Sequence, residues 1–195
     1  LMPYKNYCID DKTLLVHGKF FGVSTGLLGG WRSVECAFNH CIDDDFYRMS
    51  PVAYLKKVAK SYGLKKYFGL LTAVPMENLS IKSVENVTAF VTAGVNNPNK
   101  MTINAILVAE SKLSRSALLN AIITATEAKS SALFKLGYRF TGTNTDAVVV
   151  LSTMKGSYET FSGPASRLGK RIWETVFKAT IESLKKWEKN SRNTF

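Results

Sequence analysis

The chain has 195 residues, of which 46% are hydrophobic and 21% are charged, and its formal net charge at pH 7 is +11. This length suits one domain with a single substantial core, and the composition is that of an ordinary soluble protein. No apolar run approaches the ~18 residues that a membrane span needs, so membrane insertion is not expected.

The cysteines and histidines give no sign of a metal site or a disulfide. Cys8, Cys36 and Cys41 are odd in number and lack CxxC spacing, and the two histidines show no ligand pattern. Cys36 and His40 share one face of a predicted strand, but about 13 Å of extended chain at ~3.3 Å per residue separates them. We therefore expect reduced cysteines, with Cys36 packed, and no metal or other cofactor. The charged first residues lack the apolar centre of a secretory signal, so a cytoplasmic location is expected.

Strand and helix signals alternate along the first part of the chain. Strands are predicted at 13–23, 33–41 and 67–74. The first two are joined through residues 24–30, whose three glycines permit tight or positive-φ backbone. Ser50 as N-cap and Pro51 at the first helical position open a short helix that stops at Gly63.

The second part of the chain predicts two long helices and further strands. The strands lie at 86–95, 102–110, 138–141 and 147–153. One helix runs from Ser114 to Gly137, and the last begins near Pro164 with its apolar stripe inward and its basic residues outward. We predict a single-domain α+β fold over residues 1–195. It has a mixed, largely antiparallel sheet of about six strands, packed with two long helices and one shorter helix.

Four short polar runs stand directly beside strongly apolar stretches, where a domain normally has packing or inert turns. They are 92–97, 102–104, 124–129 and 142–146. Hydroxyl, amide, carboxylate and ammonium groups at the ends of rigid elements are what a site needs to bind and polarise a polar ligand. We interpret the four runs as parts of one site.

Lys129 falls on the apolar stripe of the long helix at 114–137. Its ammonium group is therefore expected to be partly buried and to need a carboxylate or carbonyl partner. Glu127 lies about 160° away around the helix, so an ion pair between these two residues is disfavoured. Each of them must meet a different group.

Taken in chain order, the polar runs resemble the motifs of a known family. They read Thr-Ala-Gly-Val-Asn-Asn at 92–97, Thr-Ile-Asn at 102–104, Ile-Thr-Ala-Thr-Glu-Ala-Lys at 123–129 and Gly-Thr-x-Thr-Asp-Ala-Val-Val-Val at 142–150. The sequence is similar to the adenosylcobinamide amidohydrolase family from about residue 24 to 184. The similarity includes Ser24-Thr25, Gly29-Gly30, Asn39 and Leu-Thr-Ala at 71–73. Asn144 stands where the family pattern has glycine.

This resemblance implies an enzyme of corrinoid salvage. Such an enzyme would hydrolyse the amide that joins the aminopropanol arm to the corrin ring of adenosylcobinamide. The products would be adenosylcobyric acid and 1-amino-2-propanol, so that cobinamide from outside can re-enter coenzyme B12 synthesis. Composition and periodicity by themselves indicate only a polar site rich in hydroxyl and amide groups.

Amide hydrolysis needs a nucleophile or an activated water, donors for the oxyanion and an acid for the departing amine. Glu127, beside Thr126 on a rigid helix, is our predicted general base and acid, with an exposed surface pair as its alternative. Asp146 would orient the base or pair with Lys129. Lys129 would either stabilise the tetrahedral intermediate or clamp a carboxylate. Attack by water and attack by a threonine hydroxyl both stay open.

The predicted substrate-binding residues supply hydroxyl groups, amide groups or glycine backbone N–H groups. They would donate to the oxyanion or to the amide arms of a corrinoid, although in turns such residues also satisfy the backbone for structural reasons. They are Ser24, Thr25, Gly29, Gly30, Asn39, Thr72, Thr92, Gly94, Asn96, Asn97, Asn104, Gly142, Thr143 and Thr145.

Two other functions stay open at this level. One is a non-catalytic corrinoid-binding module that uses the same polar loops. The other is nucleic-acid binding through the basic last helix, which predicts a steep fall of affinity with salt. Because the chain has no basic run and no aromatic RNA-binding signature, we expect a small-molecule corrinoid partner, no nucleic acid and no membrane. A homo-oligomer is left open.

Overall fold

The computed structural model describes residues 4–96 and 101–192. Its strands are β1 (Tyr7–Asp10), β2 (Thr13–Ser24), β3 (Gly30–Cys41), β4 (Tyr67–Thr72), β5 (Ser80–Val84), β6 (Val87–Ala93), β7 (Ile103–Ala109), β8 (Lys112–Leu113), β9 (Ala147–Ser152) and β10 (Tyr158–Glu159). Its helices are α1 (Pro51–Ser61), α2 (Arg115–Lys135) and α3 (Arg167–Arg192), with short 3-10 turns at Asp44–Arg48 and Met76–Asn78. Among these described helices, none is long and apolar enough to cross a membrane.

One sheet of 8 strands organises the molecule, in the order β4-β3-β2-β9-β7-β6-β5 with β1 paired to β2. The β3/β4 and β7/β9 pairs are parallel, and its other pairs are antiparallel. The predicted α+β fold with a mixed, largely antiparallel sheet is confirmed. The prediction missed β1 and β5, whose residues are mostly half-buried or exposed and so give weak apolar alternation.

The strand predicted at 138–141 is wrong, because these residues form an irregular, bent segment after α2. The hydroxyl of Tyr138 donates to Glu188 of α3 at 2.7 Å, and its ring lies 5.5 Å from that of Phe140. Both aromatic rings pack against the cluster beneath α2 and α3. The residues that looked strand-like therefore cover the helices instead of joining the sheet.

Serine caps fix where the three helices begin. Ser50, Ser114 and Ser166 each accept the backbone N–H three residues further on, at 3.3, 2.9 and 3.0 Å. The first two caps confirm the predicted starts of α1 and α2. The third explains why α3 begins later than Pro164.

The buried apolar side chains form three clusters, which lie on the two faces of the sheet. In the first, α2 and α3 pack on the outer face of β6, β7 and β9. The second lies inside the curve of the sheet, between residues of β2, β3 and β4 and residues of β6, β7 and β9. The third joins α1 to β2 and β3. The curved sheet thus has helices on its outside and an apolar filling within.

The curvature of the sheet brings distant loops together. The pairing of β2 with β3 shifts register between His17 and Phe20, and a bulge of this kind bends the strand. Consequently β3 and β4 contact β7, although β2 and β9 lie between them in the strand order. Asn104 of β7 donates to Asn39 of β3 at 3.0 Å. The loops after β2, β3 and β4 therefore meet the segments that precede β7 and β9.

Candidate active site

A cavity of about 530 Å³ opens where these loops meet. Polar groups from widely separated segments line it together with a larger number of apolar side chains. The lining residues are Thr25, Gly26, Leu27, Ile42, Phe46, Pro51, Leu70, Leu71, Thr72, Ala73, Met101, Thr102, Asn144, Thr145, Asp146 and Ala147. A volume of this size falls within the range of about 300–1,000 Å³ that is usual for ligand pockets.

Among the described residues that line the cavity, Asp146 is the only one with a charged side chain. Its Oδ1 accepts from the N–H of Ile103 at 2.8 Å and from the hydroxyl of Thr143 at 2.7 Å. Its Oδ2 accepts from the ammonium of Lys129 at 2.5 Å and from the N–H of Thr143 at 3.0 Å. A carboxylate offers about four lone-pair sites, so these donors occupy all of them.

Lys129 reaches this carboxylate from α2. The side chains of Lys129 and Asp146 are only 12% and 11% exposed, so the pair is largely removed from water. A side chain at Gly142 would collide with both the Asp146 carboxylate and the Lys129 ammonium, and glycine is therefore required there. Because Lys129 lies on the apolar stripe of α2, it was expected to need a carboxylate or carbonyl partner. The carboxylate of Asp146 is that partner. Lys129, Gly142, Thr143 and Asp146 are brought together as one unit.

A buried amide network supports the wall of the cavity. The side-chain N–H groups of Asn104 donate to Asn39 Oδ1 at 3.0 Å and to the backbone oxygen of Leu71 at 2.8 Å. Asn39 in turn donates to the hydroxyl of Thr92 at 2.8 Å. Asn39, Thr92 and Asn104 are all buried. Their burial does not favour direct substrate contact, and their substrate-binding role stays a prediction.

Thr102 connects this network to the loop before β9. Its hydroxyl lies 3.3 Å from Asn104 Oδ1 and 3.1 Å from the backbone oxygen of Thr145. Thr145 is exposed and lines the cavity. Thr72 is buried but also belongs to the lining, and its hydroxyl accepts from the N–H of Val74 at 2.9 Å. Thr72 and Thr145 therefore reach the predicted site.

The loop between β2 and β3 forms the opposite side of the cavity. The N–H of Thr25 donates to the Val148 oxygen at 3.0 Å, and its hydroxyl accepts from the Val148 N–H at 2.9 Å, so Thr25 is locked to β9. Ser24 Oγ accepts from the N–H of Gly26 at 3.1 Å. A side chain at Gly29 would strike the backbone oxygens of Ser24 and Gly26. Ser24, Gly29 and the adjoining Gly30 thus shape the loop, while Thr25 faces the cavity.

Two further predicted residues that the structure describes, Gly94 and Asn96, are not part of the cavity lining. Gly94 donates its N–H to the Thr102 oxygen at 3.2 Å and packs close to Val74 and Trp187, which is a structural role. Asn96 is exposed where the described segment ends. Asn97 lies outside the described residues.

Glu127 and Thr126 lie on the exposed side of α2. The hydroxyl of Thr126 donates back to the Ile122 oxygen in the preceding helical turn at 2.8 Å. Glu127 does not line the cavity in the described part of the chain. The general-base role of Glu127 stays a prediction, and its position does not favour that role.

The sequence analysis did not identify the apolar part of the lining. Leu27 comes from the glycine-rich loop, of which only Ser24, Thr25, Gly29 and Gly30 were predicted to bind substrate. Phe46 comes from the 3-10 turn after β3 and directly follows an acidic run. The sequence offered two signals for this apolar lining. Leu27 and Leu28 stand between glycines, and Phe46 and Tyr47 directly follow three aspartates. Apolar residues in such loops have no packing role within the loop itself.

A second cluster of polar side chains contacts Phe46 through the ring of Tyr54. His40 lies 2.7 Å from the Thr13 hydroxyl and 3.0 Å from the Tyr54 hydroxyl through its two ring nitrogens. The ring of Tyr54 meets that of Phe46 edge-on at 5.5 Å. Burial lowers the pKa of His40 below its usual value, because it disfavours the charged imidazolium. Burial likewise raises the pKa of Cys36 to about 12, which fits the predicted packed thiol.

The site combines a preorganised polar wall with an apolar mouth, which is the arrangement of a small-molecule enzyme pocket. The family model for adenosylcobinamide amidohydrolase matches residues 18–192 of this chain. The chain belongs to this family and is an amidohydrolase.

Relatives of known name agree with this assignment. An adenosylcobinamide amidohydrolase of Methanosarcina mazei is 42% identical over 193 residues, which cover 88% of this chain and 94% of the relative. Another of that name, from Halobacterium salinarum, is 28% identical and covers 83% of this chain and 79% of its own length. An uncharacterised protein of Methanocaldococcus jannaschii is also 28% identical, over 92% of this chain and 88% of its own length.

Proposed function

We propose that this protein hydrolyses the amide between the aminopropanol arm and the corrin ring of adenosylcobinamide. The products are adenosylcobyric acid and 1-amino-2-propanol, and the reaction serves cobinamide salvage for coenzyme B12 synthesis in the cytoplasm. The whole chain acts as one domain of this family. A family match over residues 18–192 supports the reaction type.

One observation carries the assignment of the site. Thr25, Thr72 and the adjacent Thr145 and Asp146 come from three separate segments of the matched region and line the same cavity. Asn39, Asn104 and Lys129 hydrogen-bond to that lining or to its direct supports. The convergence of scattered family motifs on one cavity supports that cavity as the place of hydrolysis.

In this proposal Asp146 is the general base for the attacking water. Three of its donors are fixed, because they are two backbone N–H groups and an ammonium group. The Thr143 hydroxyl can rotate and release one lone pair of Oδ1 for a water. The carboxylic acid formed in this way then returns the proton to the departing amine. The ammonium of Lys129 stays hydrogen-bonded to Oδ2 beside the reacting centre.

In this proposal the hydroxyls of Thr25 and Thr145 donate to the scissile carbonyl, and the Thr145 hydroxyl exchanges its 3.4 Å hydrogen bond to the Met101 oxygen for this one. Both residues are cavity-lining, and the backbone of each is fixed by hydrogen bonds to a neighbouring segment. Hydroxyl donors held in this way stabilise a developing oxyanion better than mobile water does. Threonine as the attacking group is the alternative, and a covalent acyl-enzyme detected by mass would support it.

The decisive assay mixes the protein with adenosylcobinamide, with and without a chelator. We expect adenosylcobyric acid and 1-amino-2-propanol in equal amounts by mass spectrometry, with the chelator making no difference. Stoichiometric corrinoid binding without product on long incubation would identify a non-catalytic corrinoid-binding module instead.

Two substitutions separate the candidate bases. Asp146→Asn is expected to abolish turnover, and Glu127→Gln is expected to leave it nearly unchanged because Glu127 is exposed on α2. Thermal unfolding of each variant controls for loss of the fold. Full turnover by Asp146→Asn together with loss in Glu127→Gln would transfer the base role to Glu127.

A further inference from the structure

Large exposed apolar side chains belong to, or directly follow in the chain, residues that line the cavity. Leu27, Leu28 and Tyr47 are 39%, 41% and 77% exposed. Phe46 is half-buried, and its ring meets that of Tyr47 edge-on at 5.5 Å. We call Leu27, Leu28, Phe46 and Tyr47 the apolar rim. Contiguous exposed apolar surface of this kind marks a binding site in soluble proteins.

The leucine half of the apolar rim is held in a fixed shape. Arg32 donates to the Gly29 oxygen at 2.8 Å, and its guanidinium lies over the Phe68 ring at 4.8 Å. Leu28 adopts a left-handed backbone with φ of +53°, a conformation that is unfavourable for a residue other than glycine. A strained backbone that presents an apolar side chain to water points to a function for that side chain.

The cavity is too small for a whole corrinoid. Adenosylcobinamide has far more atoms than the drug-sized ligands for which cavities of about 300–1,000 Å³ suffice. A volume of about 530 Å³ accommodates the aminopropanol arm and the ring edge that carries it. The macrocycle must therefore remain at the mouth.

We propose that the apolar rim binds the corrin macrocycle while only the scissile arm enters the cavity. This inference rests on the proposed function. Leu27 and Phe46 both line the cavity and belong to the rim, so apolar side chains from two separate loops meet at this cavity. The methyl-bearing corrin framework offers a broad apolar surface that matches the rim, and its burial supplies binding free energy.

The charge beside the rim fits the same occupant. The run Asp43-Asp44-Asp45 directly precedes Phe46 in a chain whose net charge is +11. Asp45 is paired with Lys57 at 2.6 Å, whereas Asp43 and Asp44 are exposed. An alkylated cobalt(III) corrinoid with uncharged amide arms carries a positive charge. The acidic flank therefore attracts the macrocycle that the apolar rim holds.

Binding of the ring can be measured without hydrolysis by using cobyric acid, which has the macrocycle but lacks the aminopropanol arm. Equilibrium dialysis followed by visible absorption of the corrin gives its Kd. We expect roughly tenfold weaker binding for Leu27→Ser combined with Leu28→Ser, and a smaller loss for Tyr47→Ser. The KM for adenosylcobinamide should rise in parallel, with a smaller change in kcat.

Leu119→Ser and Tyr158→Ser are the matched controls. These residues are 48% and 66% exposed, and they lie after β7, at the opposite end of the sheet from the cavity. Both controls should bind cobyric acid like the parent protein. Equal affinity of the rim variants and the parent, or equal losses in rim and control variants, overturns the proposal.

The two proposals fail in different ways. A parent protein that releases no aminopropanol but binds cobyric acid through the rim keeps the rim assignment and removes the proposed reaction. A parent protein that hydrolyses adenosylcobinamide while the rim variants keep their KM and Kd keeps the reaction and removes the rim assignment.

Discussion

Replacing Lys129 by methionine tests the central ion pair of the site. The substitution keeps most of the side-chain volume but removes the ammonium, leaving Asp146 as a largely buried carboxylate with three of its donors. Removing one partner of a buried ion pair costs about 3–5 kcal/mol. Because the other donors stay, we expect the lower end, about 3 kcal/mol, which is a fall of about 6–12 °C in unfolding temperature for a chain of this size.

The control is Lys178→Met. Lys178 pairs with Glu174 at 2.5 Å, the same distance as in the Lys129–Asp146 pair, but the side chains are 55% and 47% exposed. Solvent screens that surface pair, so the unfolding temperature should hardly change. Calorimetric unfolding of both variants, with turnover measured in parallel, gives the comparison. Equal unfolding temperatures for the two variants would refute the argument that burial of Lys129 and Asp146 makes their contact important.

Three further outcomes follow from the described contacts. Asn104→Ala removes the donors to Asn39 and to the Leu71 oxygen, so chemical denaturation should show a loss of about 1–3 kcal/mol for each acceptor left unpaired. Because burial lowers the pKa of His40, the unfolded state binds more protons just below pH 6.5. The unfolding free energy should therefore fall as the pH drops through that value, and His40→Gln should flatten this part of the profile. Iodoacetamide at pH 8 should modify exposed Cys8 while sparing Cys36, as peptide mass mapping would show, because the Cys36 thiol is buried with a pKa of about 12.

Local periodicity predicted the features that a single element determines. The serine caps of α1 and α2 and the need of Lys129 for a partner all follow from residues within one helix or next to it. The helical phase also separated Glu127 from Lys129. Because Lys129 is the one that faces Asp146, Glu127 is exposed on the other side of α2. The choice of Glu127 as base therefore conflicted with an angle that the sequence already provided.

The rest of the site depends on sheet curvature, which no single segment encodes. Asn39 and Asn104 meet only because β2 bends at its bulge and carries β3 towards β7. In the sequence they are separated by 65 positions, so neither identifies the other. Leu27 and Phe46 were missed for the same reason. Each is an isolated apolar residue in a loop until the curved sheet places both at one cavity.

The wall and the rim of this cavity should respond differently to substitution. Asp146 is both the acceptor of four hydrogen bonds that hold its loop and the proposed base, so changes around it affect folding and turnover together. The rim leucines are exposed and contribute little to the core, so changes there should affect corrinoid binding without destabilising the fold. Activity lost in proportion to stability at Lys129, but independently of stability at Leu27 and Leu28, is the pattern that this division of roles requires.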